Sequence, residues 1–364
     1  MKIFFAGDVY IKEAGNRNIF SKPLVDYIAS HDIACCNFEG PIVDECKDPI
    51  CKIGPSIKND KGVAPLLKNS GFNLVTLANN HIMDYGAEGL KSTIEALNEL
   101  GIKHIGAGLN KEEIINEFSF EDESISIGLL SVAENGFGCA MPDDNLGYLW
   151  FDSTNFLSKI RECKAKYDYL AVISHAGSEG FEFPLPELRE KYQKWIDMGV
   201  DLVVAHHPHV AQGFEEYNGK RIYYSLGNFV FDKGESNKPQ KTLNLSINIT
   251  NGRIDYNHVI TSFDQEVELI EDDQYQEHIT HISDILKCEN YNEYIKRVNS
   301  YCLESFNKYY ASYYGKTRVL TSIYNKIFKK KSLYNKWLYH NLVIETHYWV
   351  CRRALILSDN KKEI

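Results

Sequence analysis

Over the first 260 positions, apolar residues occur in short unbroken runs separated by stretches in which they return every three or four residues. The short runs, bounded by Gly, Asn, Asp and Ser, predict strands at residues 3–6, 33–37, 74–78, 102–106, 125–132, 169–174, 202–205, 222–226 and 243–249. The periodic stretches predict helices at 19–29, 63–70, 87–100, 155–166 and 187–198. In the third of these, Leu90, Ile94, Leu97 and Leu100 share one face, and Gly101 ends the pattern. Strands alternating with helices in this way predict an α/β fold assembled from β-α-β units. After residue 222 the helical periodicity stops and strands follow one another, with Asn251-Gly252 as a hairpin signal. A second, partly antiparallel sheet is therefore expected.

The pattern changes near residue 265. Residues 266–307 are acidic and helical in periodicity, whereas 308–364 hold twelve Lys and Arg against three Asp and Glu, a local charge of +9 on a chain whose net charge is −10. The expected organisation is an α/β domain over 1–265 and a helical, C-terminally basic extension over 266–364. Two expectations follow for the extension. It docks on the acidic remainder of the chain, or it offers an amphipathic surface to anionic lipid or to a synthase complex through Lys329-Lys330-Lys331, Tyr334, Trp337 and Tyr339. The overall negative charge argues against a nucleic-acid partner, which needs basic surface to displace counterions.

The opening "MKIFFAGDVY" is too short and too soon interrupted by Asp8 to read as a secretion signal. The most apolar candidate for a membrane span, 342–357, is broken by Glu345, His347, Arg352 and Arg353. A cytoplasmic protein, peripheral to the inner membrane at most, is expected. Nine cysteines without framework spacing point to reduced thiols, with Cys46 and Cys51 as the one candidate pair.

Ligand sites in α/β sheets lie beyond the carboxyl ends of the strands. Here those ends carry Gly7-Asp8, "NFEGP" (37–41), Asn79-Asn80-His81, "SHAG" with His175, and "AHHPH" with His206, His207 and His209. One polar strand end is an ordinary turn. Five of them, supplying carboxylate, amide oxygen and imidazole, form a mixed O/N donor set suited to manganese, iron or zinc rather than calcium. Three histidines in four residues would be a poor choice for a core, and Pro208 stiffens the backbone that presents them.

The ordered set Gly7-Asp8, "NFEGP", "LANNHIMDYG", "IGAG", "SHAGSE", "HHPHV" and "YSLGNFVFD" resembles the CapA (PGA_cap) family of capsule or poly-γ-glutamate synthesis proteins, within the calcineurin-like metallophosphoesterase superfamily. The resemblance covers about residues 1–260. It implies a metallophosphoesterase-like β-sandwich of two mixed sheets flanked by helices, with one or two divalent ions at the strand ends. It implies Asp8, Glu39 (with Asn37 as the alternative), Asn80, His175, His207 and His209 as metal ligands, and His81 as the acid that protonates the leaving group. Asp84 is expected to cap the helix that follows. The sequence departs from the superfamily pattern at Tyr10, where a ligand histidine is usual, at the Asn37-x-Glu39 block, and at Ala176, where the family commonly has Trp. The function implied is a metal-dependent hydrolase of phosphoester type, or one that cleaves an amide, acting on an anionic polymer or phosphorylated glycan. The rival is a non-catalytic, metal-binding accessory subunit of a polymer synthase.

Overall fold

Two sheets face each other across a shared apolar layer. The computed structural model describes the chain apart from residues 16–18, 44–46, 123–124, 142–143, 233–238, 251, 311–330 and 361–364. The larger sheet has eight strands in the order Val267–Leu269, Arg253–Phe263, Gln240–Thr250, Lys2–Tyr10, Ile33–Phe38, Leu74–Thr76, Lys103–Ile105, with Asn228–Phe231 paired to the far half of Lys2–Tyr10. The smaller has six, in the order Phe214–Tyr217, Lys220–Tyr223, Leu202–His206, Tyr169–His175, Ser126–Ala133, Phe118–Glu121. Both are mixed: the larger is parallel from Lys2–Tyr10 out to Lys103–Ile105, where helices make the crossovers, and antiparallel on its other side, and the smaller is parallel in the middle and antiparallel at both edges.

The strand periodicity explains the layering. Ile3 and Phe5 point between the sheets, against Ile127, Leu129, Ile173 and Val204. Their neighbours Phe4 and Ala6 point the other way, into the layer that holds Leu24, Leu67, Leu90 and Leu97 of the covering helices. With both faces buried, the central strands read as continuous apolar runs. Each predicted strand and helix has a counterpart. Helix Gly86–Glu99 buries Leu90, Ile94 and Leu97 as its periodicity requires, while Leu100, at the C-cap, is half-buried.

One segment behaves differently from its reading. The strand expected at 222–226 ends at Tyr223, and the chain then crosses to the other sheet as Asn228–Phe231. Glycine permits the crossing. Gly227 sits at φ +82°, and a Cβ on Gly7 would lie 2.0 Å from the Gly227 carbonyl oxygen. The hairpin signal is also present: Thr250 pairs with Arg253, leaving a two-residue turn whose Asn251 lies outside the described residues.

Beyond the sheets come helices Asp273–Ile285, Tyr291–Ser305, Lys331–Val343 and Glu345–Asn360. The last packs Val350, Cys351 and Ala354 against Tyr294, Val298 and Cys302, in a core continuous with Leu130, Val172 and Tyr192. The extension thus docks on the outer face of the smaller sheet. Among the described residues no helix is long and apolar enough to cross a membrane. The described cysteines are free; Cys51 is exposed, and Cys46, its candidate partner, lies outside the described residues.

Candidate metal centre

The parallel strands of both sheets end at one rim. Lys2–Tyr10 carries Asp8 there, Ile33–Phe38 leads into Glu39, Leu74–Thr76 into Asn79-Asn80-His81, and the adjacent strands Tyr169–His175 and Leu202–His206 bring His175 beside His206. Asp8, Glu39 and His175, all buried, each offer a ligand atom within 4.8 Å of the others. The Glu39 Oε1 atom lies 3.8 Å from His209 Nε2 and 3.9 Å from His81 Nε2. Such spacings exceed a hydrogen bond and suit donors around a common ion, since ligands about 2.1 Å from a metal stand roughly 3–4 Å apart.

The remaining candidates close the ring. His175 Nε2 is 2.9 Å from Asn80 Oδ1 and 3.0 Å from His207 Nδ1. His209 Nδ1–H donates to Asn228 Oδ1 at 2.8 Å, which leaves Nε2 facing Glu39. Asn37 donates to Asp8 Oδ1 at 2.8 Å, while its own oxygen faces Thr76 and Asn79. That oxygen is therefore occupied in holding the loop, and of the two candidates in the second block Glu39 is the one whose carboxylate faces the cluster.

Charge is concentrated here at a cost. Burial alone would raise the Asp8 carboxyl, yet the hydrogen bond from His209 and the nearby His206 and His175 rings hold it well below the usual carboxylate range. Burial keeps the imidazoles neutral: His207 is pushed down to about 4, and His175 falls well below its ordinary value, with His207 adding to the effect. Neutral imidazole beside an ionised carboxylate is the state that binds a cation. The backbone is committed as well. His207 and His209 have φ of +98° and +59°, positions that a non-glycine residue adopts only when its surroundings enforce it.

The turn after the third strand differs in one respect from its sequence reading. Asp84 does not cap the following helix, whose N-cap is Tyr85 with no side-chain bond. Fully buried, Asp84 instead accepts from His81 Nδ1 at 2.7 Å and from the Ile57 N–H at 2.8 Å, and it is ion-paired with Lys52. A buried carboxylate gains more from a cation and an imidazole than from a helix end that water can reach. Asn79, not singled out for a role, bonds to the Phe38 carbonyl and accepts from the His81 N–H, tying this turn to the Glu39 loop.

Sequence reasoning also missed Lys52, Glu134 and Asn228, and gave His206 no role. Lys52 sits in a loop without periodicity, its ammonium 3.1 Å from His81 Nδ1. His206 Nδ1 is buried without a hydrogen-bond partner, 3.4 Å from Asp8 Oδ1. Tyr10, where the resemblance led to the expectation of a histidine, packs its ring on Phe231. An orphaned imidazole nitrogen beside Asp8 is a further sign that the donors are arranged for a cation.

The model for the bacterial capsule synthesis protein PGA_cap matches residues 2–233, the stretch that holds every candidate residue. The chain belongs to the PGA_cap family. The PGA biosynthesis protein CapA of Bacillus subtilis is 33% identical over 211 residues, 57% of this chain and 54% of that protein. The capsule biosynthesis protein CapA of Bacillus anthracis is 32% identical over 235 residues, 62% and 57% of the two chains. The chain thus spans little more than half the length of these PGA_cap relatives. Among solved structures, a novel phosphatase from Mycoplasma pneumoniae aligns with 72% of this chain and 94% of its own at 13% identity, with a TM-score of 0.40.

Proposed function

We propose that this PGA_cap protein is a metal-dependent hydrolase of the phosphoester type acting in capsule or exopolymer production. The observation that carries the reading is the placement of the His81–Asp84 pair against the Asp8–Glu39–His175 donor cluster, His81 Nε2 being 3.9 Å from Glu39. Asp8, Glu39, Asn80, His175, His207 and His209 would hold one or two divalent ions (manganese, iron or zinc), which supply Lewis-acid charge and an acidified water. Asp84 accepts the His81 Nδ1 proton and fixes the ring so that Nε2 faces the cleft. Nε2 is then the atom that hands a proton to the departing oxygen. Lys52, behind the same ring, places positive charge where a phosphoryl or carboxylate oxygen would gather. The substrate class is an anionic polymer or phosphorylated glycan. The test is elemental analysis of the purified protein, followed by a screen of phosphomonoesters, phosphodiesters and small amides with added manganese. Stoichiometric metal and turnover of at least one ester are expected; protein that binds no metal and turns over none of them would sink the reading.

The basic extension is further proposed to meet anionic lipid, on a face that does not include Trp337 or Tyr339. Lys329 and Lys330 lie outside the described residues, Trp337 is buried, and Tyr339 turns inward to bond Asn135. The outward face belongs to Leu342, Tyr348, Leu355 and Ile356, each more than a third exposed, with the cation Arg352 among them. Apolar side chains on a helix within a +9 segment suit an anionic interface. Full-length protein should float with anionic vesicles at low salt and not at high salt, and Leu355→Glu with Ile356→Glu should abolish flotation. Failure to float at low salt, or unchanged flotation of the variant, removes the proposal.

A further inference from the structure

The cleft beside His81 and His207 has a volume of about 500 Å³, and the C-terminal helices supply part of its wall through Trp337, His340 and His347. What ties that wall to the candidate centre is a buried carboxyl group, Glu134, for which the hydrolase reading has no use. Glu134 follows Ser126–Ala133, the strand that runs parallel to Tyr169–His175, so it reaches the same rim as the candidate ligands. Its N–H donates to the His175 carbonyl at 3.2 Å, and its own carbonyl accepts from the Tyr148 hydroxyl at 3.3 Å. The main chain at Glu134 is thereby pinned beside a candidate ligand.

The side chain is held as well. Oε1 accepts the Gly177 N–H at 3.2 Å, and Oε2 accepts the Thr346 N–H, in the first turn of the last helix, at 3.0 Å. Glu134 is only 4% exposed, so water has little access to either oxygen. Oε1 also stands 4.0 Å from His207 Nε2, longer than a hydrogen bond but near enough to attract an N–H there. On the other side of that ring, His207 Nδ1 is 3.0 Å from His175 Nε2, which is itself 2.9 Å from Asn80 Oδ1. The His207 imidazole thus has one nitrogen among the donor atoms and the other toward a fixed carboxyl group.

Imidazole can give a metal only the nitrogen that carries no proton, and the partner of the other nitrogen decides which one that is. We propose that Glu134 is a positioning residue for His207: it keeps the ring proton on Nε2 and so leaves the Nδ1 lone pair facing His175 and Asn80. The inference rests on the reading of the cluster as a metal centre, and it adds a group that acts on the centre through His207. Glu134 also anchors the last helix, and Glu345 provides a control for that second use. Glu345 accepts the Asn135 N–H and the Trp150 indole N–H, both at 2.8 Å, and so ties down the same helix from its own side.

Cobalt(II) titrated into metal-free full-length protein provides the test, because its visible absorption reports both occupancy and the ligand set. Glu134→Ala should bind cobalt about tenfold to a hundredfold more weakly than wild type, with an altered spectrum at saturation. Glu345→Ala should lower the melting temperature yet keep the wild-type affinity and spectrum. Glu134→Gln, which retains an acceptor oxygen, should recover part of the loss. Wild-type affinity in folded Glu134→Ala overturns the proposal. Equal losses in the two alanine variants also overturn it, since the effect would then run through the helix. A second measurement needs no variant: nitrogen NMR of the zinc-loaded wild type, labelled at histidine, should find His207 protonated at Nε2, and a proton at Nδ1 instead refutes the assignment. Wild-type protein that takes up neither cobalt nor zinc sinks the metal-centre reading itself, an outcome distinct from each of these.

Discussion

Protein in which His207 and His209 are both replaced by alanine is expected to remain folded and to carry no stoichiometric metal. The two rings serve opposite sides of the cluster: His207 joins His175 and Asn80, while His209 faces Glu39 with its other nitrogen held by Asn228. Removing both takes two of the three imidazoles out of the set and leaves His175 with Asp8, Glu39 and Asn80, a weaker donor set that should lose its ion on dialysis. The fold should persist, because the apolar layer between the sheets does not include either ring. Circular dichroism establishes the fold, and elemental analysis after dialysis gives the metal content. Wild-type metal content in the double variant would show that these imidazoles are not ligands.

His81→Asn is expected to behave in the opposite way, keeping its metal and losing turnover by about 10²–10⁴-fold on substrates with poor leaving groups. The imidazole is held through Nδ1 by Asp84, which leaves Nε2 facing the cluster as the atom that can hand over a proton. A leaving group that departs without protonation needs no acid, so the loss should shrink for aryl phosphates and grow for alkyl phosphates. Comparing kcat for the two classes in wild type and variant reads this directly. Equal losses on both, or loss of the metal, would rule out the acid role.

The sequence made the strands, the helices over them and most of the candidate cluster legible for a physical reason. In parallel sheets every strand delivers its next residues to the same rim, so polar residues that follow apolar runs converge without any knowledge of loop geometry. Asp8, Glu39, Asn80, His175, His207 and His209 are gathered in this way. What was not legible depends on partners distant in the chain. Asp84 obeyed a local rule for helix starts on paper, and the tertiary structure overrode it with Lys52 and His81. Lys52 stands in a segment with no periodic signal, whereas Glu134 follows the strand Ser126–Ala133 and is a strand end that the reading passed over. The histidines of the pocket wall, His340 and His347, lie more than 130 residues beyond His207 in sequence, and nothing in the spacing of a basic helix reveals which site it will cover. The transfer of Asn228–Phe231 between sheets was hidden as well, because a strand that changes partners looks the same as one that does not.

The stretch inherited across the family is smaller than the stretch that must fold. The match to the family model ends at residue 233, yet the antiparallel neighbour of the first strand is Gln240–Thr250, paired from Lys2↔Asn248 to Phe5↔Leu245. Leu243, Leu245, Ile247 and Ile249 from that neighbour fill the same layer between the sheets as Ile3 and Phe5. A fragment trimmed to the matched stretch would bare the Lys2–Phe5 half of the strand that carries Asp8, although Asp8–Tyr10 would keep Asn228–Phe231, and would leave one side of that layer open to water. The sheet that presents Asp8 is thus completed by sequence that lies outside the matched stretch.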